Sequence, residues 1–306
     1  MGLLPDGQDV PFSDIESTMA QLAREGRRRK GGPARALTAT VVVVGEPDRM
    51  AEAAEALGLL SEAAGVRTIL ISEGQETAPS ARVTAHAIGI AGLAPRFLNN
   101  AVAALRLSSL PTAVWWRGGP AEALQEIAHL ADRLVIDVED PARAWRVVGS
   151  IVDETAVTDL RWGRLTRWRS IFAHLYDLPA VRHARVRRLS LTASDPFAAR
   201  LFAGWMRAML QWSPDVAIHL VRADAPSKWP IESVQLEADG VDITVKTGSG
   251  HPCLHATIAG KETSTRIVPL GNGALKAVIG EELAVRSRDI AFERALDAAL
   301  EVPAWP

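Results

Sequence analysis

The sequence has one cysteine and no long apolar run, and each absence excludes a class of protein. A single cysteine, Cys253, rules out a disulfide bond within the chain. No apolar stretch approaches the ~20 residues of a membrane-spanning helix. The first residues also lack the charged and apolar regions of a secretory signal peptide. These absences predict a cytoplasmic protein.

The commonest sequence signatures of α/β enzymes are also missing. The first predicted strand is followed by GEPDRM (45–50), where a dinucleotide-binding fold has G-x-G-x-x-G. The later GNGALK (271–276) lacks the third glycine and lies outside any β-α-β unit. Neither a Walker A loop nor a G-x-S-x-G elbow occurs. We therefore expect no cofactor and no catalytic residues.

One short motif, HPCLH (251–255), is typical of a metal site. On a strand, His251, Cys253 and His255 would share one face, and three such ligands suit a catalytic zinc ion. The alternative is a half-buried strand with two ordinary histidines. We favour this alternative and predict no metal, because the sequence identifies no supporting carboxylate.

The composition is that of an ordinary globular protein, with 48% hydrophobic and 23% charged residues. A net charge of −2 gives no general attraction to nucleic acid or anionic membranes, although the basic stretch 24–35 leaves a nucleic-acid contact as a weaker alternative. The length of 306 residues predicts more than one domain. We expect an N-terminal helix and basic linker over 1–36, an α/β domain over 37–180 and an α+β domain over 181–306. The N-terminal helix is predicted over 13–25, with Ser13 as its N-cap. Self-association is left open.

Strand and helix patterns alternate in the first half of the chain. The β-branched runs at 37–45 and 66–72 are typical of strands buried on both faces. Further strands are predicted at 82–90, 112–118 and 133–138, with helical segments between most of them. The first of these helices is predicted to begin at Pro47 and to end near Gly65. This alternation predicts β-α-β units and hence a mostly parallel sheet flanked by helices.

The pattern changes after about residue 184. A strand is predicted over 184–194 and a helix over 195–212, with Asp195 as its N-cap and Pro196 at its first position. Four strand-like segments follow, several of them separated by turn residues, and a final helix spans roughly 281–301. The order predicts a smaller α+β domain with an antiparallel meander.

Two segments combine tryptophan with arginine, the residue types most enriched at binding hot spots. The first is PTAVWWRGG (111–119), in which Trp115 and Trp116 must face opposite sides of the predicted strand. Arg117 would lie at the carboxyl end of that strand, beyond which ligands and partners bind in open α/β sheets. The alternative is that flanking helices bury at least one of the rings.

The second segment is DLRWGRLTRWRSIF (159–172). On a helix, four apolar residues recur at spacings of three and four and form one stripe: Leu165, Trp168, Phe172 and Leu175. Arg164 lies near the edge of the stripe, Arg169 lies to one side, and Trp162 lies off the stripe beside Asp159. Arginine without lysine favours bidentate pairing over general solubility. A solvated rim, with arginine stems covering apolar surface, explains the segment equally well.

Four segments resemble, in the same order, the OpcA family of glucose-6-phosphate dehydrogenase assembly proteins: LPTAVWWRG (110–118), ADRLVIDV (131–138), DLRWGRLTRWRSIF (159–172) and LFAGWMRAMLQW (201–212). The opening VPFSDIESTMAQL (10–22) is also similar. The resemblance implies a non-catalytic protein that binds glucose-6-phosphate dehydrogenase and promotes its assembly or allosteric activation in the oxidative pentose phosphate pathway. The matching positions are candidates for partner binding, and the resemblance leaves open which of them touch the enzyme and which hold the fold: Trp115, Trp116, Arg117, Asp159, Trp162, Arg164, Leu165, Trp168 and Arg169.

A second hypothesis is an enzyme or sensor that binds a sugar phosphate or a nucleotide. In this hypothesis Arg117, Arg164 and Arg169 converge on the phosphate at the strand ends. It requires an open pocket lined by these guanidinium groups. Buried ion pairs between all three and carboxylates of the chain would contradict it.

Overall fold

The computed structural model of the chain describes residues 3–30, 36–74, 79–213, 215–224, 227–248, 252–260, 263–271 and 273–303. These residues form fourteen strands and eleven α-helices. The strands are β1 (Gln8–Val10), β2 (Ala39–Gly45), β3 (Val66–Glu73), β4 (Ser80–Val83), β5 (Ala87–Leu93), β6 (Thr112–Trp116), β7 (Arg133–Ile136), β8 (Ala156–Asp159), β9 (Val186–Ala193), β10 (Ala217–Arg222), β11 (Ile231–Ala238), β12 (Val241–Thr247), β13 (Cys253–Ala259) and β14 (Thr263–Pro269). The helices are α1 (Ile15–Lys30), α2 (Pro47–Ala64), α3 (Leu98–Leu105), α4 (Ala121–Ala128), α5 (Ala142–Ile151), α6 (Leu160–Arg164), α7 (Thr166–Tyr176), α8 (Pro179–Arg182), α9 (Pro196–Leu210), α10 (Leu275–Ala284) and α11 (Ile290–Glu301).

The chain divides into two compact units. Unit 1 comprises Met1–Asp159 and Leu275–Arg288, and unit 2 comprises Leu160–Ala274 and Asp289–Pro306. These units do not coincide with the predicted segments 1–36, 37–180 and 181–306. The predicted domain limits remain a prediction. Among the described residues, no helix is both long enough and apolar enough to cross a membrane.

Unit 1 is built on one sheet with the strand order β1-β4-β5-β3-β2-β6-β7-β8. The six strands from β5 to β8 in this order run parallel, and β4 and β1 add an antiparallel edge. Val42 and Val44 on one face of β2 and Val43 on the other are all fully buried. The expected α/β class is confirmed: the strands are apolar on both faces because helices cover both faces.

Helix α2 begins at the predicted Pro47 and ends at the predicted Gly65, which has a left-handed φ of 64°. A Cβ atom on Gly65 would collide with the carbonyl oxygen of Ala36, so this helix end requires glycine.

Two N-terminal predictions were wrong in their limits. The first helix was predicted over 13–25 with Ser13 as its N-cap, but α1 begins at Ile15 and continues through Lys30. The segment 82–90 was predicted as one strand, but it contributes to both β4 and β5. The break occurs because the Thr84 hydroxyl oxygen accepts a hydrogen bond from the Ala87 backbone N–H at 3.0 Å and closes a turn.

Unit 2 contains a six-stranded sheet with the order β10-β9-β11-β12-β13-β14. Strands β9 and β10 are parallel, whereas β9 and β11 and the successive pairs from β11 to β14 are antiparallel. The expected α+β domain with an antiparallel meander is therefore confirmed. Gly240, in the predicted turn between β11 and β12, has a φ of 78°.

The predicted helix over 281–301 is two helices, α10 and α11. Asp289 divides them, because its Oδ1 atom accepts a hydrogen bond from the Phe292 backbone N–H at 2.9 Å and caps α11. Helix α10 belongs to unit 1 and α11 belongs to unit 2.

Candidate functional site

Three of the nine candidate residues lie at the end of β6, in unit 1. All five residues of β6 are buried because β2 and β7 flank the strand and helices cover both faces. Trp115 and Trp116 face opposite sides of the sheet, yet both are buried, with exposed fractions of 0% and 1%. Arg117 follows directly and is 3% exposed. Burial of both rings agrees with the structural alternative for the tryptophans.

Asp137 holds Arg117 and Trp115 together. Its Oδ2 atom accepts hydrogen bonds from Arg117 Nε at 2.9 Å and from Trp115 Nε1 at 3.1 Å. The guanidinium of Arg117 stacks on the Trp115 ring, with Cζ 4.7 Å from the ring centroid. Its Nη2 donates to Glu52 Oε2 at 2.5 Å, and its Nη1 donates to the carbonyl oxygen of Arg49 at 2.6 Å. Every nitrogen of this guanidinium group therefore has a partner within unit 1.

The ends of β2, β3 and β6 form the crevice at which an open α/β sheet binds nucleotides, since β3 and β6 lie on opposite sides of β2. A dinucleotide pyrophosphate would need backbone N–H groups at the start of α2. Pro47 supplies no N–H there, and Glu46 and Glu73 bring negative charge. Burial, with a further contribution from Glu46, raises the pKa of Glu73. These residues do not fit a dinucleotide.

Asp159 ends β8 and is fully buried. Its Oδ2 atom accepts a hydrogen bond from Trp145 Nε1 at 2.8 Å, and Trp145 on α5 is 1% exposed. A buried carboxylate needs such donors, because an unpaired charge in the interior is costly. In this structure the hydrogen bond from Trp145 to Asp159 therefore connects α5 to the end of strand β8.

Trp162 connects two helices of unit 2. It lies on α6, is 2% exposed, and donates its indole N–H to Asp289 Oδ2 at 2.7 Å. Its ring packs edge-on against Phe292 on α11, with centroids 5.7 Å apart. The guanidinium Cζ of Arg169 lies 3.5 Å from the centroid of the Trp162 ring. Trp162 thus links α6 to the N-cap of α11, and Arg169 covers its ring.

Arg161, next to Trp162, makes an equivalent link that the sequence pattern did not reveal. Its Nε donates to Asp195 Oδ2 at 2.7 Å. The other oxygen of Asp195 accepts from the backbone N–H groups of Phe197 and Ala198 at 2.9 and 3.1 Å, which confirms Asp195 as the N-cap of α9. Arg161 and Trp162 therefore each hold the capping aspartate of another helix. The tryptophan–arginine spacing was visible in the sequence, but the aspartate partners were too far along the chain to be assigned.

The apolar stripe of the second segment is buried as its spacing predicts. Leu165, Trp168, Phe172 and Leu175 all have an exposed fraction of 0%. The stripe packs against α9, where Phe202 makes edge-on contacts with Trp168 and Phe172 at centroid distances of 6.4 and 5.4 Å. In this structure Leu165 and Trp168 are core residues of unit 2.

Arg164 differs from the other candidates because it is exposed, as is its neighbour Arg167. Within the described part of the chain, neither side chain has a hydrogen bond or an ion pair. Arg169 is partly buried and donates to the hydroxyl oxygen of Thr166 at 3.1 Å. The exposed cations Arg164 and Arg167 are the part of the segment that another molecule can reach.

Of the three residues in the zinc hypothesis, His251 lies outside the described residues. Cys253 and His255 share one face of β13, with Sγ 3.2 Å from Nε2. Among the residues that the structure describes, no three His, Cys, Asp or Glu side chains come together in a way that could hold a metal ion.

Residues 155–296 match a family model described as the C-terminal domain of the glucose-6-phosphate dehydrogenase subunit. This match includes the Asp159–Arg169 segment. Two curated proteins that carry the name OpcA, and are assigned by name to the OxPP cycle, are also similar. The resemblance to the OpcA family is confirmed.

The first OpcA relative, from Synechocystis, is 26% identical over 155 residues, which cover 44% of this chain and 33% of the relative. The second, from Synechococcus elongatus, is 30% identical over 124 residues, which cover 37% and 28%. The chain thus matches about a third of the length of these curated relatives.

A solved oxidoreductase from Sinorhizobium meliloti has a similar structure. The alignment has a TM-score of 0.52 and 11% sequence identity, and covers 88% of this chain and 96% of that one. At this identity the likeness concerns the fold alone.

Proposed function

We propose that this chain is a non-catalytic, cytoplasmic protein that binds glucose-6-phosphate dehydrogenase and promotes its assembly or allosteric activation in the oxidative pentose phosphate pathway. The observation that carries the proposal is the match of residues 155–296 to the dehydrogenase-associated family. The OpcA names of two curated relatives support the same pathway.

Burial separates two roles among eight of the nine candidates, and the ninth, Arg169, is partly buried over the Trp162 ring. Seven are buried and would support the binding surface from within: Trp115, Trp116, Arg117, Asp159, Trp162, Leu165 and Trp168. The proposed direct contacts are Arg164 and its neighbour Arg167, because both are exposed and carry unpaired charge within the described part of the chain. An arginine fork of this kind pairs well with carboxylates, so these residues would meet an acidic surface of the dehydrogenase.

Activation requires that this chain binds the different states of the dehydrogenase with unequal affinity. A protein that binds every state of the dehydrogenase equally leaves the distribution of states unchanged. We therefore propose that this chain binds the assembled, active form more tightly than the dissociated or inactive form. Each bound chain then shifts the dehydrogenase population towards the active form.

The poor fit of a dinucleotide to the crevice in unit 1 supports a non-catalytic role. The alternative of a sugar-phosphate or nucleotide sensor loses support at Arg117, since Asp137 and Glu52 neutralise this guanidinium group. A phosphate would have to displace one of these carboxylates before it could bind there. We therefore favour a protein partner.

The test combines binding and kinetics. We expect the purified chain to bind glucose-6-phosphate dehydrogenase and to change its activity, and we expect R164E/R167E to weaken binding about tenfold or more, as charge reversal at an interface does. R146E is the matched control: Arg146 is also an exposed helical arginine, but it lies outside residues 155–296. Circular dichroism checks that each variant is folded. Equal binding by wild type and R164E/R167E would overturn the proposed contact surface, and absence of any complex would overturn the proposed function.

A further inference from the structure

A pocket of about 200 Å³ lies in unit 1, where strands β2, β6 and β7 begin and helix α10 packs beside them. Its lining is mostly apolar and includes Val41, Leu57 and Leu283. Its volume exceeds the ~150 Å³ of an engineered apolar cavity that binds benzene. The pocket is therefore large enough for a ring or a short alkyl chain.

Buried polar residues also belong to this lining. Arg133 is 3% exposed, and Thr112 is 1% exposed. Arg133 Nη2 donates to Glu282 Oε2 at 2.7 Å. Arg133 Nε, Arg133 Nη1 and Thr112 Oγ1 are buried and have no hydrogen-bond partner in the part of the chain that the structure describes. Parallel pairing of Ala113 with Arg133 puts the Thr112 side chain on the opposite face of the sheet from Arg133. The unpartnered atoms on the face of the pocket are therefore the two nitrogens of Arg133.

A purely structural ion pair does not explain this arrangement. Burial of a polar atom without a partner costs about 1–3 kcal/mol, and more when the group is charged. Glu282 satisfies one nitrogen of Arg133 and leaves two others without an acceptor among the described residues. Almost all buried polar groups in proteins have a protein or water partner. The missing partner at Arg133 is an acceptor, since a guanidinium group only donates.

The charges around the pocket favour an anion as that acceptor. Asp132 Oδ2 already accepts from the Thr112 backbone N–H at 2.7 Å, and Glu282 is paired with Arg133. Arg286 also lines the pocket, is exposed, and has no ion pair among the described residues. A carboxylate suits one buried and one exposed cation, while the apolar walls suit a hydrocarbon body.

We propose that this pocket binds a small monocarboxylate with an apolar body, its oxygens accepting from Arg133 and Arg286. Slight movement of the Arg133 side chain would bring its covered donors to the ligand. This proposal goes beyond the proposed function, because every residue it uses lies in unit 1, and its failure would leave dehydrogenase binding untouched.

The test uses three probes of similar size with the full chain: benzoate, benzylamine and toluene. We expect benzoate to raise the melting temperature and to bind in isothermal titration calorimetry. Benzylamine should not bind, because its ammonium group meets donors, and toluene should bind more weakly than benzoate. Equal binding of all three probes, or none, would overturn the proposal. Water alone in the pocket would give no response to any probe.

Two variants locate the effect. T112V removes a hydroxyl on the opposite face of the sheet from Arg133, so we expect it to leave benzoate affinity unchanged. R133M/E282M replaces the whole buried pair, which avoids leaving a lone charge, and should abolish the preference for benzoate over toluene. R143M, at an exposed arginine of α5, is the matched control and should bind benzoate like wild type. Unchanged benzoate affinity in R133M/E282M would contradict the proposed site.

Discussion

Trp162 and Asp289 lie 127 residues apart in the sequence, yet the indole N–H donates to Asp289 Oδ2 at 2.7 Å. The other oxygen of Asp289 caps α11 through the Phe292 backbone N–H. One carboxylate therefore serves both a tryptophan of the OpcA-like segment and the start of the last helix. The segment at 159–172 is a structural junction of unit 2 as well as a proposed binding surface.

This junction predicts energetic coupling between Trp162 and Asp289. D289A removes the cap, at a cost of about 1 kcal/mol, and also leaves the indole N–H without its acceptor. We expect the W162F/D289A double variant to be more stable than the sum of the single effects by about 1–2 kcal/mol. Urea unfolding of the four proteins measures this coupling. W205F with D289A is a control pair that should be additive, since Trp205 lies on α9 and packs against Phe202. Additivity in the W162F pair would contradict the junction.

Arg117 is expected to stabilise unit 1 through Asp137. R117M leaves the buried carboxylate of Asp137 without its main charge partner, which we expect to cost about 3–5 kcal/mol of unfolding free energy. E52Q is the matched control, because Glu52 is the exposed partner of the same guanidinium group, and its loss should cost about 1 kcal/mol or less. Chemical denaturation distinguishes the two. If R117M were no worse than E52Q, Arg117 would be available for a ligand after all.

The contact between α9 and α11 depends on Gly204. A Cβ atom there would lie 2.6 Å from Ala299 N and also collide with the Ala295 carbonyl oxygen, and helix backbone cannot easily move away. We expect G204A to destabilise the protein by about 3 kcal/mol. Gly149 in the last turn of α5 has no atom within 4 Å of its Cβ position, so G149A should stabilise by about 0.5–1 kcal/mol. Thermal unfolding measures the change in stability of each variant. A stabilising effect of G204A as well as of G149A would contradict the described packing.

The raised pKa of Glu73 predicts that the free energy of unfolding depends on pH. Because burial raises its pKa, the folded chain binds this proton more tightly than the unfolded chain. Its contribution to stability is therefore full below pH 4.5, the ordinary pKa of this carboxyl group, and is lost as the pH rises through the higher folded-state pKa. E73Q abolishes this titration, so it should be more stable than wild type at neutral pH, and the difference should shrink as the solution is acidified. Unfolding curves at several pH values measure the difference, and a difference that does not vary with pH would contradict the raised pKa.

Local patterns predicted much of the fold. The β-branched runs of β2 and β3, the glycine at the end of α2 and the aspartate cap of α9 follow from near neighbours, and the structure confirms each. The break at Asp289 was missed because 281–301 is continuously helix-like in composition, and the capping role depends on Trp162 as well as on Phe292. Helix α10 belongs to unit 1, where its Glu282 pairs with Arg133. Local patterns did not show this, because the two residues are 149 positions apart.

Prediction of the candidate site had a similar limit. Spacing identified the buried stripe that includes Leu165 and Trp168, since a helix places such residues on one face. It did not identify the partners of the arginines, because carboxylates that pair in space are distant in sequence. The ion pair between the buried Arg117 and Asp137, and the exposure of Arg164, are therefore visible only in the structure.

The central claim is that this chain activates glucose-6-phosphate dehydrogenase by preferring its assembled form. Sedimentation velocity of the dehydrogenase at a fixed concentration, with increasing amounts of this chain and parallel activity assays, tests the claim most directly. The account predicts that the assembled fraction and the activity rise together and reach a plateau once the chain is saturating. An unchanged assembly state and unchanged activity at micromolar concentrations of the chain would contradict it.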